Sequence, residues 1–72
     1  MKISARNCLQ GTIRELRPGA VNAEVILEIA PGTTIVSIIT NDAVKELGLA
    51  VGRRAYGVIK ASNVMIGVDE RA

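Results

Sequence analysis

Apolar and polar side chains alternate along much of the first half of the chain, and the alternation breaks at two Pro-Gly signals. Over residues 8–16, Leu9, Gly11, Ile13 and Glu15 alternate with Gln10, Thr12, Arg14 and Leu16. This period of two predicts a strand that ends at Arg17-Pro18-Gly19. A second strand is expected over 22–29, with Val25, Leu27 and Ile29 on one face and Glu24, Ile26 and Glu28 on the other. Ala30-Pro31-Gly32-Thr33 makes the next turn, with proline preset for its corner. Residues 34–40, rich in β-branched side chains, predict a third strand. The period then lengthens. Thr40 or Asn41 suits a helix N-cap and Asp42 suits the first turn. Ala43, Val44 and Leu47 form the apolar stripe, Lys45 and Glu46 lie outside it, and Gly48 stops the helix. After a connection over 49–52, strands are expected over 55–60 and 64–68, with a polar tail over 69–72. The order predicts an all-β fold, a five-stranded OB-type Greek-key barrel with one short helix between strands 3 and 4. Residues 1–72 read as a single domain, with no linker, low-complexity segment or long repeat.

The third and fifth predicted strands are apolar on both faces. Ile35 and Ile39 oppose Val36 and Ile38; Val64, Ile66 and Val68 oppose Met65. A small barrel has one interior, so the second face either packs on the helix or meets another copy. Composition favours the copy. The chain has 72 residues, no Phe or Trp, and Tyr56 as its one aromatic. A core of small aliphatic side chains in so short a domain is marginal alone. Cys8 has no second cysteine to pair with, and no His is present to build a zinc site. Oligomerisation is therefore expected. The opening residues lack the apolar stretch of a signal peptide, and no stretch is long enough to span a membrane. A cytoplasmic location with a free thiol is expected.

The candidate chemistry is that of binding. General acid–base work needs a histidine or carboxylates held in a pocket. Here Glu24 and Glu28 sit at solvated-face spacing, Asp42 and Glu46 form a helix-surface pair, and Cys8 lacks a histidine partner. An enzyme is not expected. Two short segments, Ser4-Ala5-Arg6-Asn7 and Lys60-Ala61-Ser62-Asn63, each combine a cation, a hydroxyl, a small residue and an amide. A tetrahedral dianion needs many converging donors and partial neutralisation, which hydroxyls, backbone N–H groups and one Arg or Lys supply. The small Gly19-Ala20-Val21-Asn22 turn is a third candidate, since its N–H groups are accessible. The same residue types also serve as ordinary strand-end turns and solvated cations. A nucleic-acid-binding OB module is the rival reading; net charge is +2, with Arg53-Arg54 the one adjacent cation pair. Such modules stack bases on several aromatics, and Tyr56 alone provides no platform.

In Ser4-Ala5-Arg6-Asn7, Gly19 to Val25, Ile39-Thr40-Asn41-Asp42, Leu47-Gly48-Leu49 and Ile59 to Val64, the sequence resembles the Mop family of molybdate-binding proteins, or molbindins, with their TOBE-type OB domain. The resemblance covers nearly the whole chain. It implies a homohexamer, a trimer of dimers, binding molybdate and tungstate at subunit interfaces for cytoplasmic molybdenum storage, with no cofactor. It places one oxyanion site on Ser4, Ala5 and Arg6 of one subunit and Lys60, Ala61 and Ser62 of a neighbour, with Thr40 and Ala43 nearby. A second site near the three-fold axis is placed at Gly19, Ala20, Val21 and Asn22. With no room for a DNA-binding or ATPase domain, the chain looks like the free-standing storage form, and nucleic acid and membrane are not expected partners. Two residues depart from the family pattern. Ala43 stands where some relatives carry Ser and can offer only its N–H; Cys8 stands where Gln is common.

Overall fold

Residues 1–70 are described by the computed structural model; Arg71 and Ala72, the end of the expected polar tail, lie outside the described residues. The chain forms β1 (Asn7–Pro18), β2 (Asn22–Ala30), β3 (Thr33–Thr40), α1 (Asn41–Leu47) and β4 (Arg54–Ile59), then a 3₁₀ turn over Ala61–Asn63. The strands build one antiparallel sheet in the order β3-β2-β1-β4. The alternation in β2 carries the core. Ala23, Val25 and Leu27 are buried with Ile13 of β1, and Leu16, Ile29, Ile35, Ile39, Leu49 and Ala55 pack around them. On β3, Val36 and Ile38 face outward, both 61% exposed.

β1 departs from strict alternation. Ile13 lies opposite Leu27, but the next paired residue is Glu15, opposite Ile26. Arg14 is thus the extra residue of a β-bulge, and the bulge advances the pleat by one position. Leu16, expected on the face away from Ile13, therefore joins Ile13 on the core side, opposite Val25. Arg14 turns outward, where its Nη2 donates to Glu28 Oε1 at 2.7 Å. The main chain of Ile13 is bonded instead to the connection before β4, through Gly52 N to Ile13 O (2.8 Å) and Ile13 N to Arg53 O (2.9 Å).

The helix begins and ends as its residues predict. Thr40 is the N-cap, its Oγ1 accepting from Ala43 N at 3.0 Å. Gly48, at φ 64°, closes it, with Gly48 N and Leu49 N returning to Lys45 O and Val44 O. Arg53 Nη1 donates to Gly48 O at 2.6 Å. Ala43 and Val44 are half-buried, whereas Leu47 stays exposed.

The expected five strands are four. The segment 64–68 makes no strand; β4 ends at Ile59, and Lys60, expected as its last residue, caps the 3₁₀ turn instead. The β propensity of Val64, Ile66 and Val68 is real, but a strand exists only where an edge is available to pair with. No strand among the described residues takes it up, and Met65 and Ile66 are 92% and 87% exposed. The sheet curls without closing. A cavity of about 550 Å³ lies between the edge strands, with Ile35 and Ile39 of β3 on one side, Ala55, Gly57 and Ile59 of β4 on the other, and Ile13 and Leu27 beneath. No described helix is long and apolar enough to cross a membrane.

Candidate oxyanion site

Pairing of β1 with the edge strand β4 brings the two ends of the chain together. β1 and β4 run antiparallel from Asn7 opposite Ile59 to Thr12 opposite Arg54. Arg6 precedes the first pair and Lys60 follows it, so Ser4-Ala5-Arg6 and Lys60-Ala61-Ser62 leave the sheet side by side. Asn7 Nδ2 donates across this junction to Ile59 O at 3.3 Å. Ser4, Arg6, Lys60, Ala61 and Ser62 are exposed and Ala5 is half-buried. The 3₁₀ turn uses Asn63 N, to Lys60 O at 2.9 Å, and Val64 N, to Ala61 O at 3.2 Å. As the opening residues of that turn, Ala61 and Ser62 have N–H groups with no acceptor within it. The ion pairs among the described residues involve Arg14 and Arg17 with Glu28, Glu15 and Glu24; Arg6 and Lys60 take part in none. The junction therefore holds two cations, two hydroxyls and two amides without a carboxylate among them. Donors of this kind, gathered in one place, suit a multiply charged oxyanion.

A second group forms at the other end of β1. The turn after Pro18 is narrow, with Gly19 N donating to Asn22 O at 2.7 Å. Asn22 lies opposite Thr40, and Asn41 N donates to Val21 O at 2.8 Å. Asn41 Nδ2 donates to Gly19 O at 2.9 Å. Gly19, Ala20, Val21 and Asn22 are all exposed. Thr40 and Ala43, assigned by the resemblance to the first site, belong to this end. The Ala43 N–H is already committed to the Thr40 hydroxyl, which keeps its own proton to donate.

The candidate residues thus fall into two sets. Ser4, Ala5, Arg6, Lys60, Ala61 and Ser62 are gathered in one chain; Thr40, Ala43 and the turn are gathered elsewhere. The twelve residues of β1 separate them, and at about 3.3 Å per residue no side chain spans that length. Two amide side chains hold these groups, Asn7 and Asn41, and neither is among the ion-binding residues that the resemblance implies. The sequence displays both amides but not the carbonyl each one faces. Arg53 and Arg54 serve the fold: Arg53 bonds Gly48, and Arg54 Nε lies 2.9 Å from the Gln10 amide oxygen once that amide is turned to accept. Cys8 is exposed opposite Val58. No group of three or more His, Cys, Asp or Glu side chains among the described residues could hold a metal ion.

Comparison with known proteins bears on the family and the fold. The family model described as "TOBE domain" matches residues 3–66. The chain is 49% identical over 69 residues to the probable molybdenum-pterin-binding protein of Haemophilus influenzae, covering 96% of this chain and all of that one. Its fold superposes on MopII from Clostridium pasteurianum with a TM-score of 0.86 and 49% identity, over 93% of this chain and all of that one. It also superposes on the cytoplasmic molybdate-binding protein ModG, solved with molybdate bound, with a TM-score of 0.90 and 54% identity. That match covers 96% of this chain and 49% of ModG.

Proposed function

Because the chain belongs to the TOBE domain family and to its Mop-type, molybdenum-binding members, we propose that it binds molybdate reversibly as an intact tetrahedral dianion, and tungstate with it, to store molybdenum in the cytoplasm. The observation that carries this reading is the Asn7–Ile59 pairing, which sets Arg6 and Lys60 beside each other with Ser4, Ser62 and the Ala61 and Ser62 amides. Cations offset the charge, and hydroxyls and amides replace the hydration shell. No bond to molybdenum forms or breaks, so the protein works by binding rather than catalysis. Sulfate carries the same charge and shape, so discrimination rests on the distance between donors and not on their number.

The sites are completed between copies in a homohexamer, a trimer of dimers. Two features support self-association. Val36 and Ile38 leave one face of β3 apolar and exposed, and the segment 64–68 is apolar, exposed and unpaired beside a barrel lacking one wall. The side chains facing the cavity between β3 and β4 are mostly aliphatic, which suits the apolar side chains of that segment from a second copy. Assembly also gives Thr40 and Ala43 of one copy a route to the Arg6–Lys60 junction of another, while the 19–22 turns form a second oxyanion site near the three-fold axis.

Native mass spectrometry tests the reading, with molybdate added and sulfate as control. A hexamer gaining discrete molybdate masses, and no sulfate masses, is the expected result. A monomer or dimer with no discrete uptake would overturn it. An ion held by the assembled form alone also raises stability by mass action. At a hundredfold excess over Kd the gain is about 2.7 kcal/mol per site. We expect a thermal midpoint that climbs with molybdate concentration in scanning calorimetry; a midpoint indifferent to saturating molybdate would remove the interfacial site.

A further inference from the structure

We propose that Asn41 is the positioning residue of the Gly19–Asn22 turn, fixing which way the Gly19–Ala20 peptide faces; this rests on the turn being an oxyanion site, as the proposed function has it. In a trans peptide the C=O and the next N–H point in opposite directions, and every peptide bond in the described chain is trans. Asn41 Nδ2 holds the Gly19 carbonyl at 2.9 Å, so the Ala20 N–H points away from the helix. Asn41 N holds the Val21 carbonyl at 2.8 Å, so the Asn22 N–H is likewise turned from it. Both carbonyls, which would repel an anion, are thereby withdrawn.

The side-chain bond matters most at Gly19. With no Cβ, glycine leaves the following peptide plane free to rotate. Rotation would present the Gly19 carbonyl in place of the Ala20 N–H, turning a donor into an acceptor. The hydrogen bond from Asn41 Nδ2 holds that plane against such rotation. Asn41 does not itself bind the ion. Its Oδ1 is buried without a partner and carries only lone pairs, and its Nδ2 is engaged on the Gly19 carbonyl. Its reach across the turn also ties the Thr40–Asn41 junction to Gly19, 22 residues earlier in the chain.

The test is an amide chemical-shift titration of the full-length, ¹⁵N-labelled protein with sodium molybdate, comparing the native chain with Asn41→Ala and Asn41→Leu. The leucine fills the space of asparagine without its donor. In the native protein, Ala20, Asn22, Arg6 and Ser62 amides shift saturably. In both variants the response at Ala20 weakens by about tenfold or disappears, the loss expected for one hydrogen bond that orients the donor. Asn22, held through the backbone of residue 41, responds to within about twofold of the native protein, as do Arg6 and Ser62. An unchanged Ala20 response in either folded variant overturns the proposal. So does an equal loss at all four amides, which marks a purely structural residue. A native protein responding at Arg6 and Ser62 but not at Ala20 overturns it while leaving molybdate binding intact; no response at any amide removes both. If one variant does not fold, the other decides, and failure of both overturns a positioning role.

Discussion

Arg6→Ala and Lys60→Ala each lower molybdate affinity by about tenfold to a hundredfold, the loss expected for a charge-assisted hydrogen bond, while Arg53→Ala leaves it within about twofold. The difference follows from where the three cations sit. Arg6 and Lys60 flank the Asn7–Ile59 pair and take part in no ion pair among the described residues. Arg53 is bonded to the carbonyl that ends the helix. All three carry the same charge, so a protein that attracts molybdate through its net charge of +2 alone loses similar affinity with each. Isothermal titration at two salt concentrations separates the cases. Equal losses that shrink together at high salt would mean bulk attraction, which salt screens, and no site.

Gly11→Ala destabilises the fold by about 2 kcal/mol, a fall of roughly 8–16 °C in the midpoint for a domain of this size. Gly57→Ala, which adds the same single carbon, costs less than half as much. A Cβ on Gly11 would overlap the backbone carbonyl of Glu28 and press on Leu27. Backbone cannot step aside without parting β1 from β2, where the core is densest. A Cβ on Gly57 would meet Ile35 Cδ1, the far end of a side chain that has other rotamers. Urea denaturation of the two variants measures the contrast. Equal costs would mean that β1 and β2 are not held as closely at Gly11 as the curl of the sheet requires.

Much of this architecture was legible along the chain, for reasons that are local. Val25 and Leu27 face the core because a pleat has a period of two and Glu24 and Glu28 mark the opposite face. Thr40 and Gly48 bound the helix because a hydroxyl can cap its first amides and a glycine can take a positive φ. The misplacement of Leu16 has an equally specific cause. A bulge is a property of two strands, set where Ile13 bonds Gly52 and Arg53, and nothing near Arg14 announces it. The fifth strand failed for a related reason. Residues 64–68 have the composition of a strand, but pairing needs an edge, and the chain does not bring one to them.

The sequence by itself determined which residues could serve an anion. Donor types, small neighbours and the absence of histidine are written in the order of residues, as is the resemblance to molybdate-binding proteins. Only the tertiary structure decided how those residues are grouped. Antiparallel pairing of β1 with β4 joins Arg6 to Lys60 across 54 positions of chain, while the length of β1 sends Thr40 and Ala43 to the opposite end. The structure alone also gave Asn41 its part, since a carboxamide's role depends on the carbonyl it faces. Periodicity and capping act over a few residues and can be read from neighbours; grouping depends on which distant strands share hydrogen bonds.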